Sequence, residues 1–199
     1  MAVILALVSS TFAAPSSNLV SRADPTGIDV SSYQGANPNW AGLNFAYIKA
    51  TEGTTYLNPY FASQYNGAYN AGLIRGAYHF AHPDSSSGAT QATYFVNHGG
   101  GWSGDGKTLP GALDIEYNPS GATCYGLSAA SMVAWIHDFA NTYHSLTGRY
   151  PVIYTTTDWW TTCTGNNSGF GATSPLWIAR YASSAGTLPA GWSVYSFWQ

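Results

Sequence analysis

Leu109-Pro110-Gly111-Ala112-Leu113-Asp114-Ile115-Glu116 is an apolar run opened by a Pro-Gly turn signal and closed by two acids. It reads as a buried strand whose C-terminal end emerges where chemistry can happen. Side chains at i and i+2 of a strand share a face, so Asp114 and Glu116 point one way while Leu113 and Ile115 point the other. The two carboxylates are then separated by a rise of about 7 Å. In a low-dielectric pocket both cannot ionise freely, and one is pushed toward its protonated form. That arrangement suits a general acid beside a charged stabiliser, as glycoside cleavage requires. The competing reading is structural, with the pair making loop hydrogen bonds or a salt bridge at a strand end.

The composition makes the pair conspicuous. Charged residues are 8% of the chain, and Glu52 and Glu116 are its only glutamates. Tyr, Trp and Phe make up 16%, a supply of flat apolar rings that match the C–H faces of pyranose sugars as well as filling a core. With six Lys and Arg and a net charge of −3, no basic patch is available, which argues against a nucleic-acid or anionic-membrane partner. A length of 199 residues with no internal linker predicts one domain, expected to act as a monomer.

Ala2 to Val8 is an apolar run followed by small and polar residues, too short to span a bilayer. It reads as a secretory leader over residues 1–13, cleaved after Ala13, then a Ser- and Pro-rich tail over 14–25 and a catalytic domain over 26–199. The product is expected to be extracellular. Cys124 and Cys163 suit that compartment: an even pair without a CxxC predicts one disulfide, contributing about 3–4 kcal/mol, with two buried thiols as the alternative. Asn166-Asn167-Ser168 is a glycosylation sequon.

Taken in order, strands are predicted at 27–31, 45–50, 73–80, 109–116, 151–155, 176–181 and 193–199. A helix follows Asn58-Pro59 to about Asn70, with Phe61, Tyr65 and Tyr69 as its buried stripe; another spans about 87–98, before a glycine-rich stretch expected to be a mobile loop. A long helix capped by Ser128 runs through Leu146 to Gly148, burying Met132, Trp135, Ile136, Phe139 and Tyr143. Asp158-Trp159-Trp160 suggests a turn of helix, and no helix separates the last two strands. Early alternation of strand and helix predicts a parallel sheet, and single-domain length favours an irregular TIM-like (β/α) barrel of the α/β class. Asp29, Tyr78, Asp114, Glu116, Tyr154 and Arg180 would converge on one face.

Gly27-Ile28-Asp29-Val30-Ser31 with Gln34-Gly35, Lys49-Ala50-Thr51-Glu52-Gly53, Arg75-Gly76-Ala77-Tyr78-His79-Phe80, Leu113-Asp114-Ile115-Glu116, Pro151-Val152-Ile153-Tyr154 and Leu176-Trp177-Ile178-Ala179-Arg180-Tyr181 together resemble the glycoside hydrolase family 25 lysozymes, the Chalaropsis-type muramidases. The secretory start and cysteine pair are most similar to the fungal branch. The resemblance implies a modified barrel that cleaves the β-1,4 bond between N-acetylmuramic acid and N-acetylglucosamine in bacterial peptidoglycan. It makes Glu116 the general acid, Asp114 its charge-setting neighbour and Asp29 a further carboxylate, with retention through a protein nucleophile or the substrate's own N-acetyl group. Family members continue past the Trp-Gln of the last strand here, so the resemblance implies a barrel missing its final strand, with reduced stability and activity.

Two rival functions remain. A chitinase-type barrel would carry DxxDxDxE, whose earlier acids fall here at Leu109 and Ala112. A non-catalytic cell-wall sugar-binding protein on the same scaffold would bind without turnover. Tyr78, Tyr154, Trp177 and Tyr181 are candidate sugar platforms or barrel filling, and Arg180 joins them as a candidate substrate contact. Lys49 and Glu52 suit a local ion pair, and Trp159-Trp160 suits core and rim. His79 and His82, three apart at a strand end, face opposite ways; no metal or other cofactor is expected.

Overall fold

The computed structural model describes residues 24–199, so the leader expected at 1–13 and the tail through residue 23 lie outside the described residues. Seven strands form one curled parallel sheet in the order β1 (Gly27–Val30), β2 (Phe45–Glu52), β4 (Ile74–Phe80), β5 (Ala112–Asp114), β6 (Val152–Thr155), β7 (Leu176–Ile178) and β8 (Phe197–Trp198). The two-residue β3 (Tyr56–Leu57) folds back antiparallel on β2. Helices α1 (Phe61–Asn70), α2 (Gly88–Phe95), α3 (Ala129–Thr147) and α4 (Thr157–Thr164) join successive strands. This is the irregular TIM-like curl anticipated from the alternation, with β7 and β8 joined without a helix. The curl brings β8 toward β2 in the interior, where the Phe197 ring lies 5.2 Å from Phe45 and 5.5 Å from Tyr47.

The period of two divides the strand residues between two layers. Leu113, Ile115, Ile153, Leu176 and Ile178 face outward and pack with Phe95, Met132, Ile136 and Phe139 of the helices. Each such large side chain contributes about 1.5–3 kcal/mol through burial. Inward, Tyr47, Ala112, Val152 and Trp177 form a smaller cluster that floors the open end of the curl. Ser128 caps α3 by accepting from the Ser131 amide, and Gly148 ends it in the left-handed conformation at φ 75°. The Cys124–Cys163 disulfide ties the loop after β5 to the end of α4. Asn166, first residue of the sequon, is exposed, its side-chain oxygen accepting from the Ala190 amide.

Several expectations are corrected. Helix α1 starts at Phe61, because the buried Asn58 side chain accepts from the Tyr60 amide and donates to the Lys49 carbonyl, forming a turn. Its buried residues are Gln64 and Ala68, whereas Tyr69 is exposed. Gln64 faces inward because the chain after β1 presents carbonyls that need donors: its amide donates to Ser31 and Gly35, each at 2.7 Å. Tyr69 instead lies over the Arg75 guanidinium, 4.6 Å from the ring centre. Helix α2 stops at Phe95 and runs into a π-type turn over Val96–Gly100, because Gly99 adopts φ 105°. The stretch expected to be mobile is tied down, with Asp105 accepting from the Lys107 amide and Trp102 donating to the Thr108 carbonyl. Helix α4 is a full eight residues, capped by Thr156, and its two tryptophans are completely buried. The sixth and seventh predicted strands shorten to Leu176–Ile178 and Phe197–Trp198.

Candidate active site

The register of the parallel sheet aligns Phe80 with Asp114, Asp114 with Tyr154 and Tyr154 with Trp177, so four successive strands contribute one row of side chains. All four line a cavity of about 330 Å³ together with Asp29, Ser31, Tyr33, Lys49, Tyr78, Glu116, Tyr181 and Gln199. Strand β5 ends at Asp114, yet the ladder continues one residue further through the Ile115 amide, which donates to Tyr154 at 3.0 Å. Ile115 is therefore buried among the helices while Asp114 and Glu116 both reach the cavity. Asp29 enters from β1, across the opening.

Burial raises the Asp114 carboxyl well above the ordinary carboxylate range, and the neighbouring Glu116 charge adds to the effect. Its Oδ1 is buried with no hydrogen-bond partner among the described residues, an environment that favours a neutral acid over an anion. Burial also raises Glu116, with Lys49 opposing and Asp29 reinforcing the shift. Asp29 is raised by burial, partly offset by hydrogen bonds to its carboxylate from its own backbone and the Gln199 side chain. Three carboxylates in one enclosure thus hold protons to higher pH than they would in water.

The aromatic residues divide by depth. Trp177 is buried, its ring 4.9 Å from Tyr47 and 4.8 Å from Tyr154, so it is part of the floor. Tyr78 and Tyr154 are half-buried walls. Tyr33 and Tyr181, 95% and 88% exposed, stand at the rim with nothing packed over them. His79 and His82 part as expected from their spacing: His79 goes to Thr51 and Gln91 in the helix layer, and His82 to Glu52.

A family model described as glycosyl hydrolases family 25 matches residues 28–199. The chain belongs to that family. This family 25 hydrolase is 58% identical over 181 residues to the N,O-diacetylmuramidase of Chalaropsis sp, covering 87% of this chain and 86% of that one. It is 54% identical over 195 residues to lysozyme M1 of Streptomyces globisporus, covering 94% of this chain and 66% of the relative. A muramidase from Acremonium alcalophilum superposes with a TM-score of 0.85 at 63% identity, covering 87% of this chain and 85% of the other.

Of the sequence-predicted site residues, this family 25 hydrolase brings Asp29, Tyr78, Asp114, Glu116, Tyr154, Trp177 and Tyr181 to the cavity and leaves Arg180 outside it. Arg180 shares the parity of Ile178, which faces the helices, so the alternation that puts Trp177 and Tyr181 at the cavity itself directs Arg180 away from it, and β7 ends at Ile178. Beyond it the Arg180 amide donates to Gln199 at 2.6 Å, and the guanidinium packs against Gly186, where a Cβ would lie 1.4 Å from Nη1. Sequence reasoning missed Ser31, Tyr33, Lys49, Phe80 and Gln199. Phe80 was accessible, two residues beyond Tyr78 on the same strand. Tyr33 sits in a 3-10 turn, Ser32–Gln34, and no periodicity locates it.

Proposed function

We propose that this family 25 hydrolase is a secreted, monomeric muramidase that cleaves the β-1,4 bond between N-acetylmuramic acid and N-acetylglucosamine of bacterial peptidoglycan. The observation that carries the reading is the placement of Asp114 and Glu116 on one face of β5's end, in one cavity, with both acids raised by burial. Two such groups share a proton across a range where isolated carboxyls have lost theirs. Glu116, the less buried of the two, delivers that proton to the glycosidic oxygen. Asp114, behind it, absorbs the change of charge, and Asp29 supplies negative charge across the opening as the sugar becomes oxocarbenium-like. Water then completes hydrolysis with Glu116 as base. The rim tyrosines and the Tyr78–Tyr154 walls provide stacking faces for the polymer.

The test is reducing-end release from purified peptidoglycan, run beside chitin, for the wild type and Glu116→Gln. The variant keeps the shape and hydrogen bonding of the acid but not its proton, so turnover falls by about 10²–10⁴-fold while pull-down on peptidoglycan persists. Wild-type turnover in Glu116→Gln refutes the acid assignment. Binding without turnover in the wild type supports a sugar-binding protein instead, and turnover of chitin in preference to peptidoglycan a chitinase-like hydrolase.

A further inference from the structure

Lys49 is the cation among the cavity-lining residues, facing Asp29, Asp114 and Glu116. Its partner outside that group is Glu52, three residues on along the same strand. Residues i and i+3 of a regular strand face opposite ways. Here they meet because the β2–β4 ladder slips: Lys49 pairs with Tyr78 and Thr51 with His79, leaving Ala50 as an extra residue. Such a bulge turns the strand and re-aims the side chains beyond it, so Glu52 swings round to the ammonium. The pair is partly buried, with rings and further charges around it. Lys49 Nζ lies 4.8 Å from the Phe80 ring centre and 5.5 Å from that of Tyr56 on β3. Glu52 uses its other oxygen to accept from His82 Nε2 at 3.0 Å, and His82 Nδ1 lies 3.9 Å from Asp84.

We propose that Lys49 sets how tightly the Asp114–Glu116 pair holds its shared proton, and that Glu52 limits this influence by neutralising part of the ammonium's charge. Lys49 is thus a positioning residue for charge, and its relevance to turnover rests on the catalytic reading above. The groups that face it define the balance. Asp29 from β1 and Asp114 and Glu116 from the end of β5 favour the ammonium. Glu52 competes for it from β2, and His82, when protonated, competes with Lys49 for Glu52. The shifts agree in sign, since Lys49 lowers both Asp114 and Glu116 against the burial that raises them. A purely structural pair would matter differently, since loss of either partner would have the same consequence. The charge argument requires opposite consequences.

Removing Lys49 raises the proton affinity of the pair, whereas removing Glu52 frees the ammonium and lowers it. Glu116 is the sole glutamate left in Glu52→Gln, so [¹³C]glutamate labelling gives a single side-chain carboxyl signal there. Its titration midpoint is compared between Glu52→Gln and Lys49→Met/Glu52→Gln, with Lys49→Gln replacing Lys49→Met if the latter does not fold. The expected result is a midpoint about one pH unit higher without the lysine, and a wild-type midpoint between the two. Equal midpoints, or the reverse order, overturn the proposal. The kcat/KM–pH limbs on peptidoglycan should shift in the same directions. Absent turnover with the NMR shift intact discards the catalytic reading alone, whereas turnover with no NMR shift discards only the role of Lys49.

Discussion

Acidification should destabilise this protein through one histidine in a way that a single substitution removes. His79 lies between Tyr78 and Phe80 on β4, both of which line the cavity, so its ring points the opposite way and is fully buried in the helix layer. Its Nε2 is 2.8 Å from Gln91 Oε1 and its Nδ1 2.7 Å from Thr51 Oγ1. The Gln91 amide nitrogen donates to the His82 carbonyl at 2.6 Å, which fixes which end of that amide is oxygen. Nε2 therefore carries the hydrogen and Nδ1 accepts from the Thr51 hydroxyl, a fully satisfied neutral ring. Burial, with His82 and Lys49 adding repulsion, lowers its pKa from 6.5 to about 4.

The unfolded chain binds this proton more tightly than the folded one. Stability is undiminished above pH 6.5 and falls as pH drops toward 4. Integrated between these values, the loss at pH 5 is about 2 kcal/mol. Asp29, Asp114 and Glu116 act oppositely: their folded values are raised, so they cost nothing below the unfolded carboxylate range and progressively more as pH rises. The wild-type curve alone mixes the two, but the carboxylates are common to His79→Asn. Urea unfolding of both proteins at pH 7.5 and pH 5.0 isolates the histidine. The wild type's advantage over His79→Asn should shrink by about 2 kcal/mol at the lower pH. A constant difference would mean that His79 is protonated as readily in the folded protein as in the unfolded one, and that the tautomer argument is wrong.

Gly88, at the start of α2, sits against α3, and a Cβ there would lie 2.3 Å from the Trp135 carbonyl oxygen and 2.5 Å from the Phe139 nitrogen. Backbone cannot yield as a side chain does, so Gly88→Ala should cost about 1–3 kcal/mol, seen as a lower Tm; an unchanged Tm would show that the helices do not approach so closely. Tyr33→Ala and Tyr181→Ala remove rings that pack on nothing, so Tm should hold while KM on polymeric peptidoglycan rises by about 2- to 10-fold. A lower Tm with unchanged KM would make them structural instead.

The parts of this molecule legible in its sequence are those where a regular period continues unbroken. Leu113 and Ile115 against Asp114 and Glu116 needed only a period of two, and the Met132-to-Tyr143 face of α3 only 3.6 with a serine and a glycine at its ends. What stayed hidden depends on where the backbone departs from the period. Lys49 follows inward-facing Tyr47 by a period of two and was as accessible as Phe80, but nothing in Lys49-Ala50-Thr51-Glu52 signals the slipped register that brings Glu52 round to the same side. Arg180 was assigned to the cavity against its own period, since it shares the outward parity of Ile178 while Trp177 and Tyr181 hold the inward one. Gln64 was overlooked because a glutamine on a helix implies solvent unless carbonyls awaiting a donor are known in advance.

The slip after Lys49 lies toward the C-terminal end of its strand, and so do the acids. A parallel ladder satisfies its own backbone and presents alternating side chains, a pattern suited to a dry core. To bring three carboxylates and a lysine to one hollow, the ladder must stop, bulge or hand its last amides to loops, and each device breaks the period that makes a sequence readable. Local rules therefore fail at a site for the same reason that the site can exist there. In this chain the bulge at Ala50 is the clearest case, since without it Lys49 and Glu52 would face opposite ways and the ammonium would meet the carboxylates with no partner to moderate it.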